Sequence, residues 1–229
     1  MIGPTLRYIF STCIPHDNAK TICPPGPVPR GPNPPIIISS LMRSGTHLTI
    51  DLLLNNLSSY RNNPLYIDFD RFVYEAHDPN TLTNAGSCII KTHFRQRPFT
   101  QETLKLLESI ASNGLVIIPT RDLAATQASM KKWNFPPSLE KLQKDHDDQL
   151  IFWSRFNPLI IDFKDLLNPT KAISFLQDVR QRLHLPDSES PSIPTLANGS
   201  NFEIMWNKMN TRLAGSYAKT INTTIGYKI

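Results

Sequence analysis

The stretch IIISSLMRSGTHLTIDLLLNNL, residues 36–57, decides the fold of this 229-residue chain. It opens on a short apolar run, which is typical of a strand buried on both faces of a parallel sheet. Near its end Ile50, Leu53, Leu54 and Leu57 recur at i, i+3, i+4 and i+7, the spacing that gives a helix one apolar face. The stretch therefore predicts a strand, a loop and a helix in direct succession.

The loop between them, SSLMRSGTH at residues 39–47, combines the features of an anion-binding site. Gly45 lets the backbone approach a ligand closely, and the start of the helix presents N–H groups at its positive dipole end. Ser44 and Thr46 add hydroxyl donors, and Arg43 adds a planar guanidinium suited to phosphate oxygens. A serine-capped turn is the simpler interpretation, but it leaves the strand and the arginine unexplained. The pattern GxxxxGK[ST] is absent, which argues against an ATPase or GTPase.

Outward from this stretch, strand and helix patterns alternate. Buried-strand runs occupy 88–92, 115–119 and 159–163, and helical patterns occupy 100–113, 122–133, 139–156 and 170–183. Such alternation implies right-handed crossovers and an α/β fold, a doubly wound parallel sheet in three α/β/α layers with a P-loop-like strand–loop–helix. Ligands bind at the carboxyl ends of the strands in folds of this class.

The chain divides into a proline-rich N-terminal arm or linker, 1–35, and a single α/β domain, 36–229. Seven of the twelve residues in 24–35 are proline, which fixes φ and has no N–H to donate. We therefore predict an extended arm there rather than a core element.

Charge and cysteine content narrow the class of protein. A formal net charge of +5 favours anionic ligands, but the basic residues are scattered, so we predict no nucleic-acid partner. Cys13 and Cys23 could pair and leave Cys88 free, although three reduced thiols are the favoured interpretation. Neither a signal-peptide pattern nor a membrane-spanning run is recognisable, which predicts a cytoplasmic protein without a transmembrane segment.

Two further motifs lie at predicted strand ends. Lys91 and His93 are two residues apart on an extended chain, so they are expected to point to the same side, a cation beside a general base. A strand-end histidine satisfied by the backbone is the alternative. Arg121 stands where the next strand meets a helix, and Ser129 follows at a spacing that returns to the same side. An ion-paired arginine and a solvent-facing serine are the alternative here.

Together, the runs MRSGTH (42–47), IIKTHF (89–94) and IIPTRDLAATQAS (117–129) resemble sulfotransferases that use 3′-phosphoadenosine 5′-phosphosulfate. In that family a Lys- or Arg-Ser-Gly-Thr loop binds the 5′-phosphosulfate, and a Lys-Thr-His segment supplies the base. An arginine at a strand end, with a serine eight residues later, grips the 3′-phosphate. The run IIDFKDL (160–166) is similar to a structural strand of the family, and the resemblance covers roughly residues 36–183.

The resemblance implies a role for each matching residue. His93 is expected to deprotonate the acceptor, with Asp68 and Asp70 as alternative bases, and Arg43 and Lys91 to stabilise charge on the leaving oxygens. The expected co-substrate is 3′-phosphoadenosine 5′-phosphosulfate, without a metal, and the partner is a small-molecule, glycan or lipid acceptor with a free hydroxyl or amine. The residues expected to bind the co-substrate are Arg43, Ser44, Gly45, Thr46, His47, Arg121, Ser129 and, near the C-terminus, Arg212.

Two other functions fit parts of the pattern. A P-loop-like phosphotransferase that uses ATP would need an acidic Mg²⁺ ligand at a strand end. A non-catalytic nucleotide- or partner-binding module would keep the anion loop and use the proline-rich arm for interaction.

Overall fold

A computed structural model of the protein describes residues 21–22, 28–62, 66–74, 78–96, 99–131, 137–186, 191 and 193. Its centre is a six-stranded sheet in the order β1-β3-β4-β2-β5-β6, and every neighbouring pair of strands is parallel. The strands are β1 (Thr21–Ile22), β2 (Ile36–Ser39), β3 (Tyr66–Asp68), β4 (Ile89–Thr92), β5 (Leu115–Thr120) and β6 (Leu159–Asp162). This confirms the predicted α/β fold with a parallel sheet.

Helices follow most of the strands and begin at recognisable capping residues. The side chains of Thr100, Ser138 and Asn168 each accept a hydrogen bond from the backbone N–H three residues later. The helices are α1 (Thr46–Asn56), α2 (Phe69–Tyr74), α3 (Gln101–Ser112), α4 (Leu123–Lys131), α5 (Leu139–Ser154), α6 (Phe163–Leu166) and α7 (Pro169–Arg182), with 3₁₀ turns at Ser58–Tyr60 and Pro79–Leu82.

The sheet is buried on both faces, which produces the three predicted layers. Ile36 and Ile38 pack with α1 and α7 on one side, whereas Ile37 packs with α3 and Trp153 of α5 on the other. All three isoleucines are fully buried. Because side chains alternate along a strand, a continuous apolar run is what such a position requires.

Strand β2 lies between β4 and β5, so the loop that follows it opens at the middle of the sheet's carboxyl edge. The chain runs from β2 to the β3–β4 side of the sheet and later crosses to β5 on the other side. A reversal of strand order of this kind leaves a crevice at the carboxyl ends of the strands. The fold therefore places the loop of residues 40–45 where a ligand is expected.

Part of the sheet was not predicted from the sequence. Strand β3 and helix α2 lie in a region without a clear pattern, and β1 pairs with β3 through Thr21–Tyr66 and Ile22–Ile67. Val28 belongs to the core although it lies in the proline-rich stretch predicted as an arm, and it is 7% exposed. The boundary between arm and domain at residue 35 stays a prediction.

The described residues test only part of two predictions, that the chain has no transmembrane segment and that its three cysteines are reduced. No helix in this part of the chain is long and apolar enough to cross a bilayer. Cys88 is buried and unbonded, and burial raises the pKa of its thiol to about 12. Cys13 and Cys23 lie outside the described ranges.

Candidate anion-binding site

The loop after β2 turns through two left-handed residues. Arg43 has φ 69° and Gly45 has φ 110°, a backbone region that favours glycine. A Cβ added to Gly45 would lie 3.0 Å from Cδ2 of Phe163, so the missing side chain also lets the ring close against the loop. Glycine is therefore required at position 45 for two reasons: the positive φ of the backbone and the close packing of Phe163.

The hydroxyls of the loop are used within the protein. Ser44 Oγ lies within hydrogen-bond distance of the carbonyls of Leu41 (2.7 Å) and Pro119 (3.1 Å), which share its single proton, and Thr46 Oγ1 lies 2.5 Å from Ser40 Oγ. Ser44 and Thr46 are 2% and 4% exposed. In this structure the two hydroxyls fix the shape of the loop, and their role as donors to a ligand stays a prediction.

Arg43, Ser129 and Arg121 form one connected group. Arg43 Nε donates to Ser129 Oγ at 3.1 Å, and Arg121 Nη1 donates to the main-chain carbonyl of Arg43 at 3.1 Å. The Arg121 guanidinium also lies over the ring of Phe163, 4.4 Å from its centroid. No carboxylate of the described residues forms a salt bridge with Arg121, so its positive charge faces the site uncompensated.

His93 stands across the loop with a defined tautomer. Its Nδ1 lies 2.9 Å from the carbonyl oxygen of Ser40, which can only accept, so the ring proton is on Nδ1 and the lone pair is on Nε2. Burial, and then the charge of Lys91, lower the pKa of His93 from 6.5 to about 3. The imidazole is therefore neutral near pH 7 and able to receive a proton at Nε2.

Two aspartates, Asp68 and Asp70, contact the segment that ends in His93. The Asp70 carboxylate accepts hydrogen bonds from the backbone N–H of His93 (2.9 Å) and from Thr92 Oγ1 (2.8 Å), and burial raises its pKa. Asp68 forms a 2.6 Å ion pair with Lys91, which is 7% exposed. The Lys91 ammonium is thus paired within the protein, and its predicted role on the leaving oxygens stays a prediction.

The loop after β2, together with His93, Arg121 and Phe163, lines a cavity of about 150 Å³. It is smaller than the roughly 300–1,000 Å³ of a typical pocket for a whole small molecule, so it suits the anionic end of a ligand. Its lining residues are Met42, Arg43, Gly45, Thr46, His47, His93, Arg121 and Phe163.

Most of the residues predicted for the site meet at this cavity. Ser129 reaches it through Arg43, whereas Arg212 lies outside the described residues. His47 contacts the buried Tyr66 of β3, with Nε2 3.1 Å from the tyrosine oxygen. Phe163 was not predicted, although its position directly after β6, at the carboxyl edge of the sheet, is a signal that could have found it.

The comparisons with known proteins add little to this geometry. No model of a known protein family matches the chain, and no curated protein sequence does either. Among solved structures, the chain is similar to the 1.7 Å crystal structure of a shikimate kinase from Bacteroides thetaiotaomicron. The match has a TM-score of 0.38 and 15% sequence identity, and it covers 67% of this chain and 99% of that one. A likeness this weak carries no argument about the activity, and the function has to be argued from the site.

Proposed function

We propose that this protein is a sulfotransferase that moves a sulfonate group from 3′-phosphoadenosine 5′-phosphosulfate to a hydroxyl or amine. The observation that carries the proposal is the convergence of Arg43, Arg121 and His93 on one cavity beside the loop after β2. Two guanidinium groups and a neutral histidine suit a doubly phosphorylated donor and an acceptor that must lose a proton.

The donor would bind by its two phosphate-bearing ends. The N-terminus of α1 follows Gly45 directly and offers backbone N–H groups to the phosphosulfate, and Arg43 lies in the same loop. Arg121 keeps further N–H donors beside the one that bonds to Arg43, and these suit the 3′-phosphate. Preorganised donors of this kind stabilise charge that develops on the leaving oxygen.

His93 would take the proton of the acceptor. The acceptor oxygen or nitrogen attacks sulfur, the bond from sulfur to the phosphate oxygen breaks, and adenosine 3′,5′-bisphosphate leaves with that electron pair. The acceptor proton moves to Nε2 of His93. Because the pKa of His93 is low, we expect the proton to move late, once the new bond to sulfur has made the acceptor acidic.

A phosphotransferase that uses ATP is the second candidate. It is favoured by Asp68 and Asp70, which lie at the end of β3 where a Mg²⁺ ligand would be needed. However, Asp68 is ion-paired to Lys91 and Asp70 accepts hydrogen bonds from the His93 segment. The sequence Gly45-Thr46 also stands where a triphosphate-binding loop has Gly-Lys.

Calorimetry distinguishes these candidates. A sulfotransferase binds adenosine 3′,5′-bisphosphate well above ADP and AMP and is indifferent to Mg²⁺. Equal affinity for the three nucleotides, or binding that requires Mg²⁺, would remove the sulfotransferase proposal.

Measurements of sulfonate transfer then test whether His93 is the base. Transfer by the wild-type protein would also exclude a non-catalytic binding module. His93→Ala should lower kcat for sulfonate transfer by about a hundredfold or more and leave bisphosphate affinity within about threefold, as expected of a group used mainly in the transition state. His146→Ala, on the surface of α5, is the matched control and should keep full activity. If His93→Ala stays active, Asp68 and Asp70 become the next candidates.

A further inference from the structure

The residues that follow His93 form a tight turn with an unusual third residue. The N–H of Gln96 donates to the carbonyl of His93 at 3.0 Å, and Arg95 at the third position has φ 72°. A turn with positive φ at this position normally takes glycine, because a side chain is strained there. Glycine would serve the backbone better, so the arginine calls for a reason that lies in its side chain.

The guanidinium of Arg95 is exposed on an aromatic platform. It lies 4.5 Å from the centroid of Phe94 and 5.8 Å from that of Phe152, and the residue is exposed to solvent. None of the carboxylates that the structure describes forms a salt bridge with it. A guanidinium that contacts aromatic rings and has no carboxylate partner keeps N–H groups available for an anion.

Arg155 provides a contrast on the same platform. Its guanidinium lies 4.4 Å from the centroid of Phe152, but it forms a 2.6 Å ion pair with Glu108. Two arginines thus stack on one ring, and the described carboxylates compensate Arg155 but not Arg95. The cation–aromatic contact alone therefore does not account for Arg95.

The turn is attached rigidly to the anion-binding loop. His93 Nδ1 donates to the carbonyl of Ser40 at 2.9 Å, and the N–H of Met42 donates to Gln96 Oε1 at 2.6 Å. The ends of a four-residue turn lie within about 7 Å of each other. Arg95 is consequently carried on a turn anchored to this loop, two residues along the chain from His93.

We propose that Arg95 binds an anionic group of the acceptor, so that the enzyme selects hydroxyl compounds that already carry a carboxylate, phosphate or sulfate. This inference rests on the proposed function and specifies its acceptor class. In this arrangement the hydroxyl of the acceptor lies at His93, and its negative charge lies outside the cavity at Arg95. The strained backbone is kept because only arginine supplies both the stacking plane and the bidentate edge.

Three related phenols test the proposal: 4-hydroxyphenylacetate, its methyl ester and tyramine, which share the 4-hydroxyphenyl group and carry a negative, a neutral and a positive para substituent of similar size. With 3′-phosphoadenosine 5′-phosphosulfate as donor, kcat/KM should be highest for the anion, lower for the ester and lowest for the amine. Arg95→Gln should lower kcat/KM for the anion by roughly tenfold to a hundredfold, the loss expected for a charge-assisted hydrogen bond, and change the ester by less than about twofold.

Arg155→Gln is the matched control, because it removes a guanidinium from the same ring without removing an uncompensated charge. It should leave the order of the three phenols unchanged. Equal rates for anion and ester, or an equal loss for all three phenols in Arg95→Gln, would overturn the proposal.

Should none of the phenols turn over, the same three are titrated by calorimetry into protein saturated with adenosine 3′,5′-bisphosphate. Preferential binding of the anion that is lost in Arg95→Gln supports the proposal, and equal or absent binding overturns it. Bisphosphate binding itself separates the two claims: its loss removes the sulfotransferase assignment, whereas its retention without charge preference removes only the role of Arg95.

Discussion

Arg121 holds the backbone of Arg43, since its Nη1 donates to the Arg43 carbonyl at 3.1 Å. Arg43 needs such support because its φ of 69° is unfavourable for a residue with a side chain. The other contact of Arg121 is the face of Phe163, at 4.4 Å from the ring centroid. One arginine therefore shapes the loop and also lines the cavity beside it.

Arg121→Lys should weaken the binding of adenosine 3′,5′-bisphosphate by roughly tenfold to a hundredfold and bring it close to that of AMP. Lysine keeps the charge but cannot bond to the carbonyl, stack and contact a phosphate with one planar group. Calorimetry with both nucleotides measures the effect. Arg182→Lys is the control, because Arg182 also donates to a main-chain carbonyl, that of Asn157, away from the cavity. An unchanged preference for the bisphosphate in Arg121→Lys would contradict the assignment.

The low pKa of His93 should make folding sensitive to acid. In the unfolded chain the imidazole binds a proton below pH 6.5, whereas in the folded protein it stays neutral down to about pH 3. The unfolded state binds more protons in that interval, so stability falls as the pH is lowered through it, by at most about 1.4 kcal/mol per pH unit for this group.

His93→Gln should therefore flatten the pH dependence of the unfolding free energy between pH 6.5 and 4, relative to the wild type. Urea titrations at several pH values provide the measurement, with His146→Gln as the control. Parallel curves for His93→Gln and wild type would show that the imidazole takes up its proton at the same pH in the folded and unfolded states, which would contradict the low pKa.

The sequence predicted the parts of the site that depend on strand ends. Residues 36–57 have strong periodicity, and parallel strands bring their carboxyl ends to one edge, so the sequence alone predicts that His93 and Arg121 lie near the loop. The role of Lys91 stays a prediction. Strand β4 ends at Thr92, one residue before His93, and the Lys91 ammonium is ion-paired with Asp68.

The remaining features depend on contacts that no local pattern specifies. Strand β3 has three residues, too few for a period, and the Asp68–Lys91 pair arises because these two residues are partners in the β3–β4 register. The hydrogen bonds of Ser44 and the closure of Phe163 on Gly45 require the tertiary structure. Such contacts become predictable only once the order of the strands is known.

Asp70 should act on the reaction through His93. Its carboxylate fixes the His93 backbone and the Thr92 hydroxyl, so Asp70→Ala should lower kcat by about tenfold or more and change the KM for the donor little. Asp70→Asn retains one acceptor oxygen and should recover part of the loss. Adding Asp70→Ala to His93→Ala should have almost no further effect on kcat, because coupled residues are not additive. Additive losses in kcat would mean that Asp70 acts independently of His93. Asp147→Asn, on the surface of α5, is the control for the loss of a carboxylate.

Gly45→Ala should disrupt the loop by two separable effects. The φ of 110° strains any residue with a Cβ, and the new methyl group would lie 3.0 Å from Cδ2 of Phe163. We expect a loss of about 1–3 kcal/mol in unfolding free energy, together with a loss of bisphosphate binding larger than the change in stability explains. Phe163→Leu in the Gly45→Ala background removes the contacted ring carbon and should restore part of the stability, while the backbone strain persists. Denaturant unfolding and calorimetry on the two single variants and the double variant separate these contributions. If Gly45→Ala binds the bisphosphate as tightly as the wild type, the ligand does not depend on the conformation of this loop, and the anion site has to be sought elsewhere.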